Sequence, residues 1–488
     1  MNMINLLRQK LSDWFKIEPA ANCGVSVRET YDHPTGVFIN KIWFRGDARE
    51  LSQLYHQIDL GEEAFWSSDC SPGQDMRKLH TGLPRLIVNA LSNIAIDDLS
   101  DIEFDRPEDG ELWESIEKEN SFEKQIKNAT KNVLALGDGA FKISFDTNIS
   151  QLPIIEFYAA DDVEYKYEHG RIREVIFYTH YDRKKKNYTL KETYGYGYIN
   201  YKLYDDQNRE VNVDTLDETT GLEDVSFDRS LLLAVPYIIY DSEKFNGRGQ
   251  SIYEGKHDAF DALDESFSQW MDALRTGKTK TYIPEVLLPR DPSNGNIKKY
   301  NPFDTRYITT GTDLSEHATN QITTTGGNVQ VDVYIQTYCT SLDLCLQGLI
   351  SPSTLGIDIK KLDNGEAQRE KEKMTLYTRN AIIAAATEVI NQLIKKSFNM
   401  LQLQHKGTIQ DVECSFSFGE YANPSFESVV ESMSNPNTPM SIEAKVEELW
   451  GDSKDEDWKS AEVARIKSER GIIELDEPAV GMTATQIN

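Results

Sequence analysis

The sequence predicts a multi-domain α+β fold, and three features carry that expectation. At 488 residues the chain exceeds what one simple core accommodates, so about two to four units are expected. Apolar residues recur at helical steps up to Leu136 and then alternate from Ala140 onward, where a sheet should begin. Farther on, two segments with the spacing of long amphipathic helices bracket a stretch rich in Pro, Gly, Thr and Asn.

Composition narrows the function classes. Hydrophobic residues make up 39% and charged residues 27%, an ordinary globular balance and not that of a disordered chain. The formal charge of −28, from 80 acidic and 52 basic residues, should repel nucleic acid and anionic membranes, so any DNA contact must be local, weak or unsticky by design. Five scattered cysteines without a CxxC pair indicate neither a disulfide framework nor a zinc site, which suits a reducing cytoplasm. Residues 1–15 read as an amphipathic helix (Leu6, Leu7, Leu11, Trp14, Phe15) without the features of a signal peptide. The most apolar run, 231–240, is interrupted by Pro236 and too short to span a bilayer, so no membrane segment is expected.

Residues 1–150 read as mainly helical. A turn near Trp43 leads into a helix beginning at Asp47, and residues 81–96 place Leu83, Leu86, Ile87, Ala90, Leu91 and Ile94 on one face. A third helix, 122–136, stops at Gly137-Asp-Gly. Strands follow at 141–145, 154–158 and 175–181, and the basic run Arg183-Lys-Lys-Lys186 reads as a solvated hairpin turn rather than a nucleic-acid patch. After Asn246-Gly-Arg-Gly249, the steps of Ile252, Phe260, Leu263, Phe267, Trp270, Met271 and Leu274 predict one helix of about 24 residues, roughly 36 Å long, ending at Gly277. The insertion 278–328 holds one clear strand, 282–288. A second long helix carries Val331, Tyr334, Tyr338, Leu342, Cys345, Leu346 and Leu349. Asp363-Asn-Gly-Glu366 has capping-box spacing and opens a helix of about 35 residues that stops near Gly407, before a strand-like stretch, 412–418. Two helical patterns, 442–450 and 458–470, make an acidic tail whose last residues, after Glu477, are expected to be disordered. The boundaries are therefore 1–250 for the body, 251–277, 278–330, 331–350, 351–364, 365–422 and 423–488.

The motifs of common enzymes are absent: no GxxxxGK[ST], HExxH, GxSxG or kinase signature occurs. Gly247-Arg-Gly-Gln-Ser251 has glycines but no surrounding strand and GxGxxG unit, so it reads as a flexible approach to the long helix. The eight histidines are dispersed, so no metal, cofactor or catalytic residue is expected. Asp258, Asp261, Asp264 and Glu265 read as a solvated helix face, and Cys339 and Cys345 as small buried thiols without a redox role.

The order of parts, together with four phrases, resembles the portal proteins of tailed bacteriophages, of the type found in phages of Gram-positive hosts. The phrases are Ile42-Trp-Phe-Arg-Gly-Asp-Ala-Arg-Glu-Leu51, Gly82-Leu-Pro-Arg-Leu-Ile-Val-Asn-Ala-Leu91, Leu136-Gly-Asp-Gly-Ala-Phe-Lys-Ile143 and the helix, loop and Gly-Glu-Ala helix over 333–374. The resemblance implies an α/β wing (1–250), paired stem helices, a small α/β clip (278–330) and a helical crown (423–488). It further implies a ring, usually of twelve copies, at the capsid vertex of the virion, assembled in the host cytoplasm. Such a ring is a conduit through which double-stranded DNA is packaged and ejected without sequence specificity, and it is not an enzyme. Its partners would be the large terminase, a head–tail connector or adaptor, and the major capsid and scaffolding proteins, with no membrane involved. A tunnel loop would fall on 351–364, with Ser351, Thr354, Ile357, Lys360, Lys361 and Asn364 as DNA-contacting residues; Lys360 and Lys361 either meet phosphates or are solvated loop lysines. Lys278, Lys280, Tyr282, Glu285 and Arg290 would serve the clip's docking surface, and Asp258, Asp261, Asp264 and Glu265 an electronegative channel wall. Another virion ring or baseplate protein is the alternative, and a packaging or tail enzyme a more distant one.

Overall fold

The computed structural model describes residues 17–19, 26–28, 31–58, 64–68, 76–97, 99–147, 149–183, 186–277, 280–284, 287–288, 292, 307–310, 322–326, 330–357, 365–404, 412–419, 441–442, 444–446 and 456–469. The chain divides into two units, Met1–Gly419 and Glu420–Asn488, so residues 251–419 belong with the body and form no compact unit of their own.

Local chemistry sets the helix ends in the first unit. A short antiparallel pair joins β1 (Ile17–Pro19) to β2 (Ser26–Arg28). Helix α1 (His33–Arg45) starts where the Asp32 carboxylate accepts from the Thr35 N–H, and it stops at Gly46, whose φ of 72° lies in the left-handed region. Helix α2 (Ala48–Gln57) is capped by Asp47, which accepts from the Arg49 N–H at 2.7 Å. Helix α3 (Leu83–Ile96) buries Leu83, Ile87, Val88, Leu91 and Ala95. The short strand β3 (Glu103–Phe104) precedes α4 (Pro107–Asn120) and α5 (Phe122–Leu136). The sequence reading passed over α1 and α4. Helix α4 buries only Trp113 and Ile116, a stripe too thin to stand out among its many acidic residues.

Strand β4 (Asp138–Ser144) is buried along nearly its whole length, with β5 (Ile154–Ala159) antiparallel on one side. A larger antiparallel sheet follows: β6 (Val163–Glu168), β7 (Arg171–Arg183), β8 (Lys186–Gly195), β9 (Tyr198–Asp205) and β10 (Glu210–Val211) run in the order β10-β9-β8-β7-β6, and β11 (Val225–Ser226) also pairs with β9. Arg183 pairs with Lys186, so the basic run is a tight hairpin between β7 and β8, with residues 184–185 outside the described set. Strand β12 (Ala234–Ile238) returns to the free edge of β4.

Helix α6 (His257–Thr276) has 20 residues and begins later than its apolar spacing suggests. Residues 252–256 form turns instead, because Gly255 has φ 76° and the Ser251 hydroxyl accepts from the Tyr253 N–H. In the insertion β13 (Lys280–Pro284) is central, parallel to β14 (Tyr307–Thr310) and antiparallel to β15 (Thr323–Thr325). This strand lies toward the start of the predicted 282–288 and ends at Pro284, which has no N–H with which to continue the ladder. Helix α7 (Val331–Leu346) packs antiparallel to α6 through Phe267, Trp270 and Tyr338, and stops just before Gly348 (φ 79°). Helix α8 (Gly365–Gln404) has 40 residues, about 60 Å at 1.5 Å per residue. Its buried face of Ile382, Ala386, Val389, Ile390, Leu393, Ile394 and Phe398 packs on α3, β4 and β12. Strand β16 (Cys414–Ser415) pairs with β3. Asp363 of the expected capping box lies outside the described residues. In the second unit, α9 (Glu456–Glu469) covers most of the predicted 458–470. Among the described residues no helix is long and apolar enough to cross a membrane.

Candidate functional site

The antiparallel pair α6 and α7 is joined at its far end by the three-stranded sheet of the insertion, and the sequence-predicted positions that are described lie on or beside it. Three side chains fasten its near end. The Lys256 ammonium donates to the Leu344 and Gln347 carbonyls at 3.0 and 2.8 Å, His257 Nε2 meets Asn40 Oδ1 at 2.8 Å, and the Cys345 thiol donates to the Ala259 carbonyl. Burial pushes the Cys345 thiol up to about 12, which keeps it protonated and suits a packing role.

The far half of the pair is different in character. Val331, Val333 and Ile335 are exposed on α7, as are Leu274 on α6 and Leu344 farther along α7. Helix α7 carries only two charged residues, Asp332 and Asp343, in its 16. An exposed helix with so little charge lacks the usual solvated face.

The acidic positions on α6 do not share one environment. Asp258 is exposed and Glu265 half-buried, accepting from the Gln269 amide. The Asp261 carboxylate accepts the Phe65 and Trp66 N–H groups, and Asp264, only 1% exposed, faces His80 and accepts from Thr81. Asp264 therefore presents no carboxylate to solvent in the subunit. The reading of all four as one solvated face holds for Asp258 and is corrected for Asp261 and Asp264 by the segments packed over them.

The glycine-rich approach to α6 is pinned rather than flexible. The Arg248 guanidinium donates to both oxygens of Asp138, at 2.9 and 2.8 Å, and to the Val163 and Ala160 carbonyls. The Gly249 N–H donates to Asp138 Oδ2 as well. Asp138 is fully buried, and its carboxyl is raised by burial against the lowering pull of Arg248. Glycine is required on both sides of this contact: a Cβ on Gly137 would lie 2.4 Å from the Gly249 carbonyl oxygen, and one on Gly249 would lie 2.2 Å from that of Gly137. Reading each motif alone missed this. The joint signal was the pair Gly137-Asp-Gly139 and Gly247-Arg-Gly249, complementary charges each flanked by glycine.

The segment after α7 starts as a built turn. Ser351 is buried, its N–H donating to Thr375 Oγ1 on α8 at 2.7 Å and its hydroxyl pairing with Ser353. Thr354 and Ile357 are half-buried in successive turns closed on the Ser351 and Pro352 carbonyls. A buried, doubly bonded Ser351 is a structural residue of this turn and not an exposed contact. Lys360, Lys361 and Asn364 lie outside the described residues, as do Lys278, Glu285 and Arg290 of the insertion; Lys280 and Tyr282 stand half-buried on its central strand β13. Among the described residues no group of three or more His, Cys, Asp or Glu side chains could hold a metal ion. Comparison of the chain with protein-family models and with curated proteins finds no match in either.

Proposed function

We propose that this chain is the subunit of a portal-type ring, a structural conduit for double-stranded DNA at a capsid vertex, with α6 and α7 as stem helices and the three-stranded insertion as the docking end for a packaging motor and a connector. The observation that supports this reading best is the helix pair, whose far half leaves Val331, Val333, Ile335 and Leu274 exposed, with Asp332 the one charge that α7 carries there. A lone subunit gains nothing from such a surface, whereas identical neighbours meeting head to tail would cover it and close a ring. The overall charge of −28 fits a wall that a moving polyanion must not adhere to. Substituting Val333→Asp and Ile335→Asp together tests the reading. Both positions are exposed, so the subunit should keep its thermal transition while losing the large assembly, and an assembly unaffected by two buried charges per interface would overturn the proposal.

A further inference from the structure

Helix α8 and strand β12 flank an open groove of about 820 Å³. Helix α8 presents Ala381, Ala384 and Ala385 to it, with Ala384 exposed, and β12 presents Pro236 and Ile238. Side chains as small as these alanines let a further element lie close against the helix. Strand β12 is the edge of its sheet, in the order β12-β4-β5, but that edge cannot extend a ladder. The Ile143 N–H donates to the Leu233 carbonyl, so residues 234, 236 and 238 turn their backbone groups outward. Of these, Pro236 has no N–H, and the Ala234 carbonyl already accepts from the Lys396 ammonium at 2.8 Å. The groove therefore suits a helix that brings side chains, and not an added strand.

We propose that residues 1–15 of the same chain, which lie outside the described residues, occupy this groove as an amphipathic helix. The chain can deliver them there. Ile17 of β1 pairs with Arg28 of β2, so the hairpin returns the chain beside its start, and at about 3.6 Å per extended residue Phe15 can lie no farther than roughly 25 Å from Tyr31. The Tyr31 ring in turn sits under the Lys244 ammonium, 3.5 Å from the ring centroid, and 6.5 Å from the Phe245 ring. Those two residues belong to the loop that leaves the groove at Tyr240 and is closed by the bridge between Asp241 and Gly249. Length agrees as well: the α8 lining from Ala381 to Lys396 rises about 22 Å at 1.5 Å per residue, as would a helix over 1–15. Leu7, Leu11, Trp14 and Phe15 recur at helical steps, with Gln9 on the opposite side, so the segment has one apolar stripe to cover. Its charge is complementary. Within a chain of net charge −28 it carries Arg8 and Lys10 against Asp13, and the exposed Glu388 stands midway along the α8 lining. Of the groove's other charged residues, Lys396 is turned to the Ala234 carbonyl, and Arg171 finds in Asp13 a charge of opposite sign. This contact belongs to the single subunit and does not depend on ring formation.

A photoreactive benzoylphenylalanine placed at Leu11 of the full chain tests the assignment, with the adducts mapped by mass spectrometry after irradiation. They should join residue 11 to the peptides holding 381–389 or 236–240, and should run at the mass of one chain on a denaturing gel. The same group at Gln9, on the opposite face, should give none of these adducts. Ala384→Trp fills the groove from an exposed position, so the chain should keep its circular dichroism while the Leu11 adducts are lost. Adducts elsewhere in the chain, adducts at the mass of two chains, which would give the groove to a neighbouring copy's segment, or Leu11 adducts that persist in Ala384→Trp would overturn the proposal.

Discussion

Replacing Arg248 with alanine would leave Asp138 fully buried, with the Gly249 N–H as its remaining charge-balancing donor. Removing one partner of a buried ion pair costs roughly 3–5 kcal/mol, and chemical denaturation should register a loss of that order. Arg248→Lys should recover only part of it, because one ammonium cannot reach both Asp138 oxygens and the Val163 and Ala160 carbonyls together. Lys396 on α8 gives a prediction of pH dependence. Its ammonium donates to the Ala234 carbonyl from a groove between α8 and β12, and burial lowers it to about 8. Below about 8 the folded chain must bury the charge, while the unfolded chain holds its proton up to an ordinary 10.5. The unfolded state thus binds more protons between these values, so stability should rise with pH from about 8 to 10.5. In Lys396→Met this component of the rise should vanish, and an unchanged slope would show that Lys396 is not its source. Neither site was legible residue by residue, since an isolated Asp, Arg or Lys in sequence carries no sign of burial. The complementary Gly-Asp-Gly and Gly-Arg-Gly triplets lie 110 positions apart, and only the fold brings them together.

At the scale of elements, long apolar periodicities were readable and local backbone geometry was not. Helix α5 spans Phe122–Leu136 as its spacing indicates, because Gly137 ends it with φ 111°. Helix α6 was read too long because Ile252 keeps a helical rhythm while packing from a turn; the left-handed Gly255 decides, and periodicity cannot register it. Asp261 and Asp264 of α6 were assigned to solvent because the segments that cover them come from nearly 200 positions earlier. Gly249→Ala tests how closely the approach to α6 is fitted. Its Cβ would lie within 3 Å of Gly137 backbone atoms and the Asp138 side chain, so a loss on the order of 2–4 kcal/mol is expected, with a lower thermal midpoint. A neutral Gly249→Ala would mean that the corner yields.

For the whole molecule, charge and apolar exposure oppose each other. Subunits of formal charge −28 repel, and an assembly driven by the far half of α6 and α7 must overcome that repulsion. Salt screens the repulsion with a Debye length of about 10 Å at 0.1 M and leaves apolar contact intact. The assembled fraction should therefore grow with ionic strength, the reverse of an interface held by ion pairs, and light scattering across a salt series would show which holds. The overall mixture of helix and sheet was legible because it follows from periodicity over long windows. The partner of the exposed apolar face was not, because a single chain records the surface and not what covers it. The central claim is that identical subunits close head to tail around a channel, and native mass measurement paired with negative-stain imaging tests it most directly. A closed assembly, of about twelve copies, with a central hole is the predicted result; a two-fold dimer as the sole assembled species, or a monomer at every salt concentration, would contradict it.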